Sequence, residues 1–133
     1  DSSRTTQDLL RVNPDLKGII AFGSQGPVGA GRVISEKRLI GKVAVVGLFS
    51  AGQGAKLVKE GAITEGFIWN PGLAGEAIVY VGKMLNEGKE PTDGMDIPGV
   101  GKVSVNKATR NILGQKLQAI NKETIDSLVA LGL

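Results

Sequence analysis

The sequence predicts an α/β protein built on a mainly parallel sheet, and three observations predict it. Helix-like and strand-like segments alternate along the first two thirds of the chain. The strand-like segments are short continuous apolar runs, the pattern of strands covered on both faces. The connections are a few residues long and alternate strand with helix, which argues for right-handed crossovers within one sheet.

Residues 5–13 place Leu9, Leu10 and Val12 on a short helix that stops before Pro14, because the residue preceding a proline is pushed out of the α region. GIIAF at 18–22 reads as the first strand. Residues 27–39 form a helix opened by Pro27, a favoured first-turn position, and VAVVGLF at 43–49 is a second buried strand. A short helix over 55–61 ends at Gly61. Residues 63–69, ITEGFIW, make the third strand, and 73–88, LAGEAIVYVGKMLNEG, is the most regular helix of the chain. After Gly88 the texture changes. Residues 90–107 are rich in turn formers, with one alternating strand at Lys102 to Val105. A last strand is expected over 113–120, then a closing helix that Asn121 caps, with Glu123 and Thr124 in its first turn.

At 133 residues the chain is the size of one ordinary domain. It is 41% hydrophobic and 22% charged, with no apolar window of about 18 residues that could span a bilayer. Its 16 Lys and Arg against 13 Asp and Glu are interspersed, without the basic clusters and interleaved aromatics of a nucleic-acid surface, so no nucleic-acid partner is expected. Cysteine and histidine are both absent. That removes thiol nucleophiles, disulfides, the usual zinc sites and imidazole acid–base chemistry, and neither a metal nor a cofactor is expected. The opening DSSRTTQDLL has no basic region followed by an apolar one, so it is not a signal peptide, and the chain is expected to be a fragment.

Ligands of open parallel sheets bind at the carboxyl ends of the strands. Here those ends are Phe22-Gly23-Ser24-Gln25, Phe49-Ser50-Ala51-Gly52 and Trp69-Asn70-Pro71-Gly72. Three of the chain's five aromatics stand at equivalent places in successive loops, each followed by a small or amide polar residue. The glycine-rich segment from Gly23 to Gly31 lacks the Lys and hydroxyl of a nucleotide-phosphate loop and is not G-x-G-x-x-G. No carboxylate stands at any of the three ends, which argues against a magnesium site and against acid–base catalysis, so no enzyme is expected. Asp8, Glu36, Glu60 and Glu76 fall on helices as solvated faces, and Tyr80 falls on an apolar stripe. Aromatic faces, hydroxyls, carboxamides and backbone amides suit a neutral polyol. The alternative is that Phe22, Phe49 and Trp69 plug the top of the sheet.

Through NPDLKGIIAF, KVAVVGLFS, LVKEGAITEGFIWNPGLAGEAIVYVGKMLNEG, IPGVGKVSV and INKETID, the chain resembles the carboxyl-terminal half of sugar-type periplasmic binding proteins of bacterial ABC importers, in their rhamnose-binding and autoinducer-binding branch. The resemblance implies a three-layer α/β sandwich, one lobe of a two-lobe trap, working outside the cytoplasm and passing a neutral monosaccharide to the membrane subunits of an importer. The effector half of a LacI-type regulator shares the fold and is the alternative. The resemblance implies a site at Phe22, Ser24, Trp69 and Asn70, and the reading of the strand ends adds Gln25, Phe49 and Ser50 as expected ligand contacts. Trp69-Asn70-Pro71 looks like the rhamnose-binding pattern. The autoinducer-binding pattern has an acidic residue at the place of Asn70 and a proline at that of Phe22.

The same resemblance assigns residues 1–70 and about 94–133 to the carboxyl-terminal lobe, with helix 72–88 packing on an amino-terminal lobe outside this chain. Without that lobe, Leu73, Ala77, Ile78, Val81, Met84 and Leu85 lack a cover, and a homodimer through helix 73–88 is expected. One open face also loses the second set of hydrogen bonds of a closed trap, so millimolar sugar affinity or none is expected.

Overall fold

In the computed structural model, residues 1–114 and 116–133 are described. The elements run α1 (Ser2–Val12), β1 (Gly18–Ala21), α2 (Gly26–Glu36), β2 (Ala44–Leu48), α3 (Ala51–Glu60), β3 (Glu65–Ile68), α4 (Pro71–Asn86), β4 (Asp96–Ile97), β5 (Gly101–Asn106), β6 (Asn111–Gly114), β7 (Gln118–Ile120) and α5 (Ile125–Ala130). They group into two units, residues 1–68 with 119–133, and residues 69–118. The segment 94–118, expected with residues 1–70, groups instead with α4.

The first unit carries the sheet, in the order β1-β2-β3-β7. β1 pairs β2 in parallel, Ile19 with Val45 and Ala21 with Gly47, and β2 pairs β3 in parallel, Gly47 with Gly66 and Leu48 with Phe67. Both crossovers step in one direction, and right-handed crossovers then place α2 and α3 on one face. Burial follows that rule. Val45, Gly47 and Gly66 are buried on the helical face, whereas Ile20, Ala44 and Leu48 on the other are exposed. The strands were expected to be covered on both faces. The chain supplies one helical layer, because no crossover here runs the other way.

That layer packs through small residues. α2 approaches β2 so closely that a Cβ on Gly47 would stand 2.6 Å from Pro27 Cγ, and one on Gly31 would stand 2.7 Å from Ile63. α1 seats at Gly29, where Ser3 Oγ donates to the Gly29 carbonyl at 3.3 Å and Ser2 Oγ to that of Gln25 at 2.9 Å. Much of the glycine-rich run thus serves helix packing. Phe49 lies beneath two more glycines, and a Cβ on either Gly54 or Gly66 would fall on its ring. α3 closes on Gly61, which takes the left-handed conformation at φ 84°.

The last helix begins later than expected. Asn121 Oδ1 accepts from Glu123 and Thr124 N–H at 3.0 and 3.1 Å, so it organises a turn, and α5 begins only at Ile125.

In the second unit, α4 is opened by Asn70 and Pro71, and β4-β5-β6 form an antiparallel sheet. Only β5 of these strands was expected. β4 is two residues long, and β6 was merged with β7 into one strand over 113–120, of which position 115 lies outside the described residues. The hairpin depends on side-chain bonds, Asp93 Oδ1 accepting from Val105 N–H at 2.9 Å and Asn106 Oδ1 from Thr109 N–H at 3.2 Å.

Phe49→Ala should lower unfolding free energy by about 3–5 kcal/mol, the range for emptying a buried aromatic site. Phe22→Ala, on an exposed side chain, should stay within about 0.5 kcal/mol. Urea denaturation followed by circular dichroism checks both, and equal midpoints would refute the assignment of Phe49 to the core.

Candidate functional site

Two of the three expected loops belong to the first unit. Because Ala21 pairs with Gly47, the loops following β1 and β2 leave the sheet at the same end. The first holds Phe22, Ser24 and Gln25, all exposed, and turns on Gly23 at φ 82°. The second holds Ser50, half-buried and without a side-chain cap bond to α3. A carboxamide contact joins them: Gln25 Nε2 donates to Gln53 Oε1 at 2.9 Å. Gln53 stands in the first turn of α3, outside the residues expected at the strand ends. Its i+3 spacing from Ser50 was the available signal, since that places it on the same helix end.

The side chains divide by exposure. Phe22 is 90% exposed and Phe49 only 1%. Phe49 was expected among the ligand contacts, and its ring is instead part of the hydrophobic core. The physical reason is parity and space. Phe49 follows a strand whose alternate residues, Val45 and Gly47, face the helices, and the glycines at 54 and 66 leave a slot that fits a phenyl ring. One backbone amide is also occupied, because Gly52 N–H donates to the Leu133 carbonyl at 2.8 Å.

Trp69 and Asn70 follow β3 in the chain and fall in the second unit. Trp69 is 50% exposed. Asn70 is the N-cap of α4: its Oδ1 accepts from Gly72 N–H at 2.9 Å and Leu73 N–H at 3.2 Å. That role fixes the carboxamide. The oxygen is committed to the helix, and the Nδ2 hydrogens remain as the carboxamide's donors.

Both residues also line a groove of about 610 Å³ within the second unit. Its walls are mostly apolar, with Leu73, Ala77 and Val81 from α4 and Val100, Val103 and Ile112 from the sheet region, and its polar residues are Asn70, Lys116 and Gln118. The last two were not expected as lining, since the strand carrying Gln118 was not separated from β6. Among the described residues, no cluster of three or more Asp, Glu, His or Cys could hold a metal, and no helix is long and apolar enough to cross a membrane.

The parallel strands β1, β2 and β3, joined through α2 and α3, define a scaffold of the α/β class. The sequence profile of the periplasmic binding protein domain matches residues 1–90, and the chain belongs to that family. Solved structures agree on the fold. A sugar ABC transporter protein from Actinomyces odontolyticus is 25% identical, with a TM-score of 0.80, covering 95% of this chain and 41% of its own. A solute-binding protein from Clostridium phytofermentas with bound L-rhamnose is 22% identical, with a TM-score of 0.76, 98% of this chain being covered and 45% of that one. LsrB from Clostridium saccharobutylicum, in complex with AI-2, is 19% identical with a TM-score of 0.70, at 95% and 44% coverage. The chain thus spans less than half the length of these structures.

Asn70→Ala removes both cap bonds and should cost about 1 kcal/mol. Asn70→Asp keeps the acceptor and puts negative charge at a helix N-terminus, so stability should hold or rise by about 0.3–1 kcal/mol. Thermal melts of the three proteins decide it, and an Asp variant as unstable as the Ala variant would remove the cap from the account.

Proposed function

We propose that this chain is the sugar-contacting part of a solute-binding protein of an ABC importer, that its ligand is a neutral monosaccharide, and that it binds without chemical turnover. The observation that carries the reading is the character of the strand ends. Ser24, the Gln25–Gln53 pair and Ser50 present hydroxyl and carboxamide groups with no ionised side chain among them. A neutral polyol exchanges hydrogen bonds with such groups at little desolvation cost, whereas a phosphate would meet no cationic side chain among them. Membership of the periplasmic binding protein family and the fold shared with sugar-binding structures support the same reading. They also favour action outside the cytoplasm, with importer membrane subunits as partners.

Phe22, after β1, and Trp69, after β3, are both exposed, and each offers an apolar face to the C–H side of a sugar ring. Asn70 adds donors only, so its ligand atom is an acceptor such as a hydroxyl or ring oxygen. L-rhamnose is the first candidate, because Asn70 follows Trp69 here as in the rhamnose-binding pattern. Affinity for the isolated chain should lie near 1 mM, a binding free energy of about −4 kcal/mol.

Trp69 is the chain's single tryptophan, which makes its emission a specific reporter. Titration with L-rhamnose and other neutral sugars should give a saturable change with a midpoint in the millimolar range, and the corresponding sugar phosphates should give none. Trp69→Ala, followed by calorimetry, should weaken binding at least about tenfold, or 1.4 kcal/mol, with an unchanged melting temperature. No response to any neutral sugar at about 100 mM, a hundred times the expected midpoint, would sink the reading, and so would a preference for the phosphates.

A further inference from the structure

The contact between Gln25 and Gln53 has a direction, and that direction decides what the pair can still bind. Gln25 Nε2 donates to Gln53 Oε1 at 2.9 Å. The bond leaves Gln25 Oε1 as an acceptor and Gln53 Nε2 as a donor, and among the described residues neither has another protein partner. Both side chains are exposed. Their backbones are fixed within the first unit. Gln25 is the N-cap of α2, and its carbonyl accepts from Gly29 N–H at 3.0 Å and from Ser2 Oγ at 2.9 Å. Gln53 N–H donates to the Ser50 carbonyl at 3.1 Å in the first turn of α3.

A carboxamide is planar, with its oxygen and nitrogen about 2.3 Å apart. Joined through the 2.9 Å bond, Gln25 Oε1 and Gln53 Nε2 therefore stand no more than about 7.5 Å from each other. On the reading that the ligand is a neutral sugar, we propose that the pair recognises a vicinal diol. One hydroxyl donates to Gln25 Oε1 and its neighbour accepts from Gln53 Nε2. Hydrogen bonds of about 2.8 Å at each end, with the short separation of neighbouring ring oxygens between them, span that gap.

The fixed polarity gives selectivity. An ether oxygen offers no donor to Gln25 Oε1, and a deoxy position offers neither donor nor acceptor, so each leaves a carboxamide group unpaired. Ser24 and Ser50 carry hydroxyls that turn to suit either role, so the discrimination lies with the amides. Gln53 is also a positioning residue. A free glutamine side chain loses rotamer entropy when a ligand orders it, and the bond to Gln53 removes part of that cost before the sugar arrives.

The test follows the side-chain amide signals of Gln25 and Gln53 by NMR, in the isotope-labelled 133-residue chain, during titration with L-rhamnose and with any other neutral sugar that calorimetry shows to bind. Both signals should shift, with the calorimetric midpoint. Gln53→Leu removes the acceptor and the donor together and should weaken binding about tenfold. Gln53→Glu keeps an acceptor for Gln25 but has no donor, and should weaken binding about threefold. Each replaces an exposed side chain, so melting temperatures should stay within about 2 °C of the parent. At least one monodeoxy form of the sugar should lose affinity for the parent chain and bind the parent and Gln53→Leu alike. Unshifted amide signals at calorimetric saturation, or Gln53→Leu binding as tightly as the parent, overturn the diol contact and leave the sugar reading standing. Equal losses in the Leu and Glu variants overturn the positioning role. Failure of the parent chain to bind any neutral sugar sinks the sugar reading and the diol contact with it.

Discussion

The structure depends on one constraint, the common direction of the crossovers from β1 to β2 to β3. Right-handed connections that step the same way must lie on the same side of the sheet. α2 and α3 are therefore neighbours, and the core lies under them as one cluster of Val45, Phe49, Ile34, Val58 and Ile63. The other sheet face receives no helix from these connections. The constraint also aligns the carboxyl ends of β1 and β2, which is why Ser24, Gln25 and Ser50 share an end of the sheet although Gln25 and Ser50 lie 25 positions apart.

Close packing explains where the glycines fall. Gly29 receives α1, Gly31 receives Ile63, Gly47 receives Pro27, and Gly54 and Gly66 hold the Phe49 ring between them. These are steric requirements of the core and place few glycines at a ligand. Gly23, at φ 82° between Phe22 and Ser24, is the one that shapes the loop itself. A loop rich in glycine beside a strand therefore has two explanations that composition cannot separate, backbone access for a ligand and helix-to-sheet contact.

The candidate site shows the same division between chemistry and placement. Asn70 was expected as a ligand contact because of its type and position, and the structure gives it a second task as the cap of α4. The cap uses the oxygen alone, which leaves the nitrogen for the ligand contact proposed above. Gln25 is likewise oriented by a neighbour, Gln53. Amide side chains carry a donor and an acceptor on one rigid plane, so committing one end fixes what the other can recognise.

The sequence by itself determined the α/β class, the alternation of elements as far as α4, and the uncharged character of the strand ends, because periodicity and residue type are local properties. It did not separate β6 from β7 or find β4, since strands of two to four residues in a turn-rich segment acquire their pairing only from partners in space. It could not distinguish Phe22 from Phe49, two phenylalanines at equivalent strand ends, because burial depends on which glycines of other elements stand opposite. Only the tertiary structure decided that one ring fills the core and the other meets solvent.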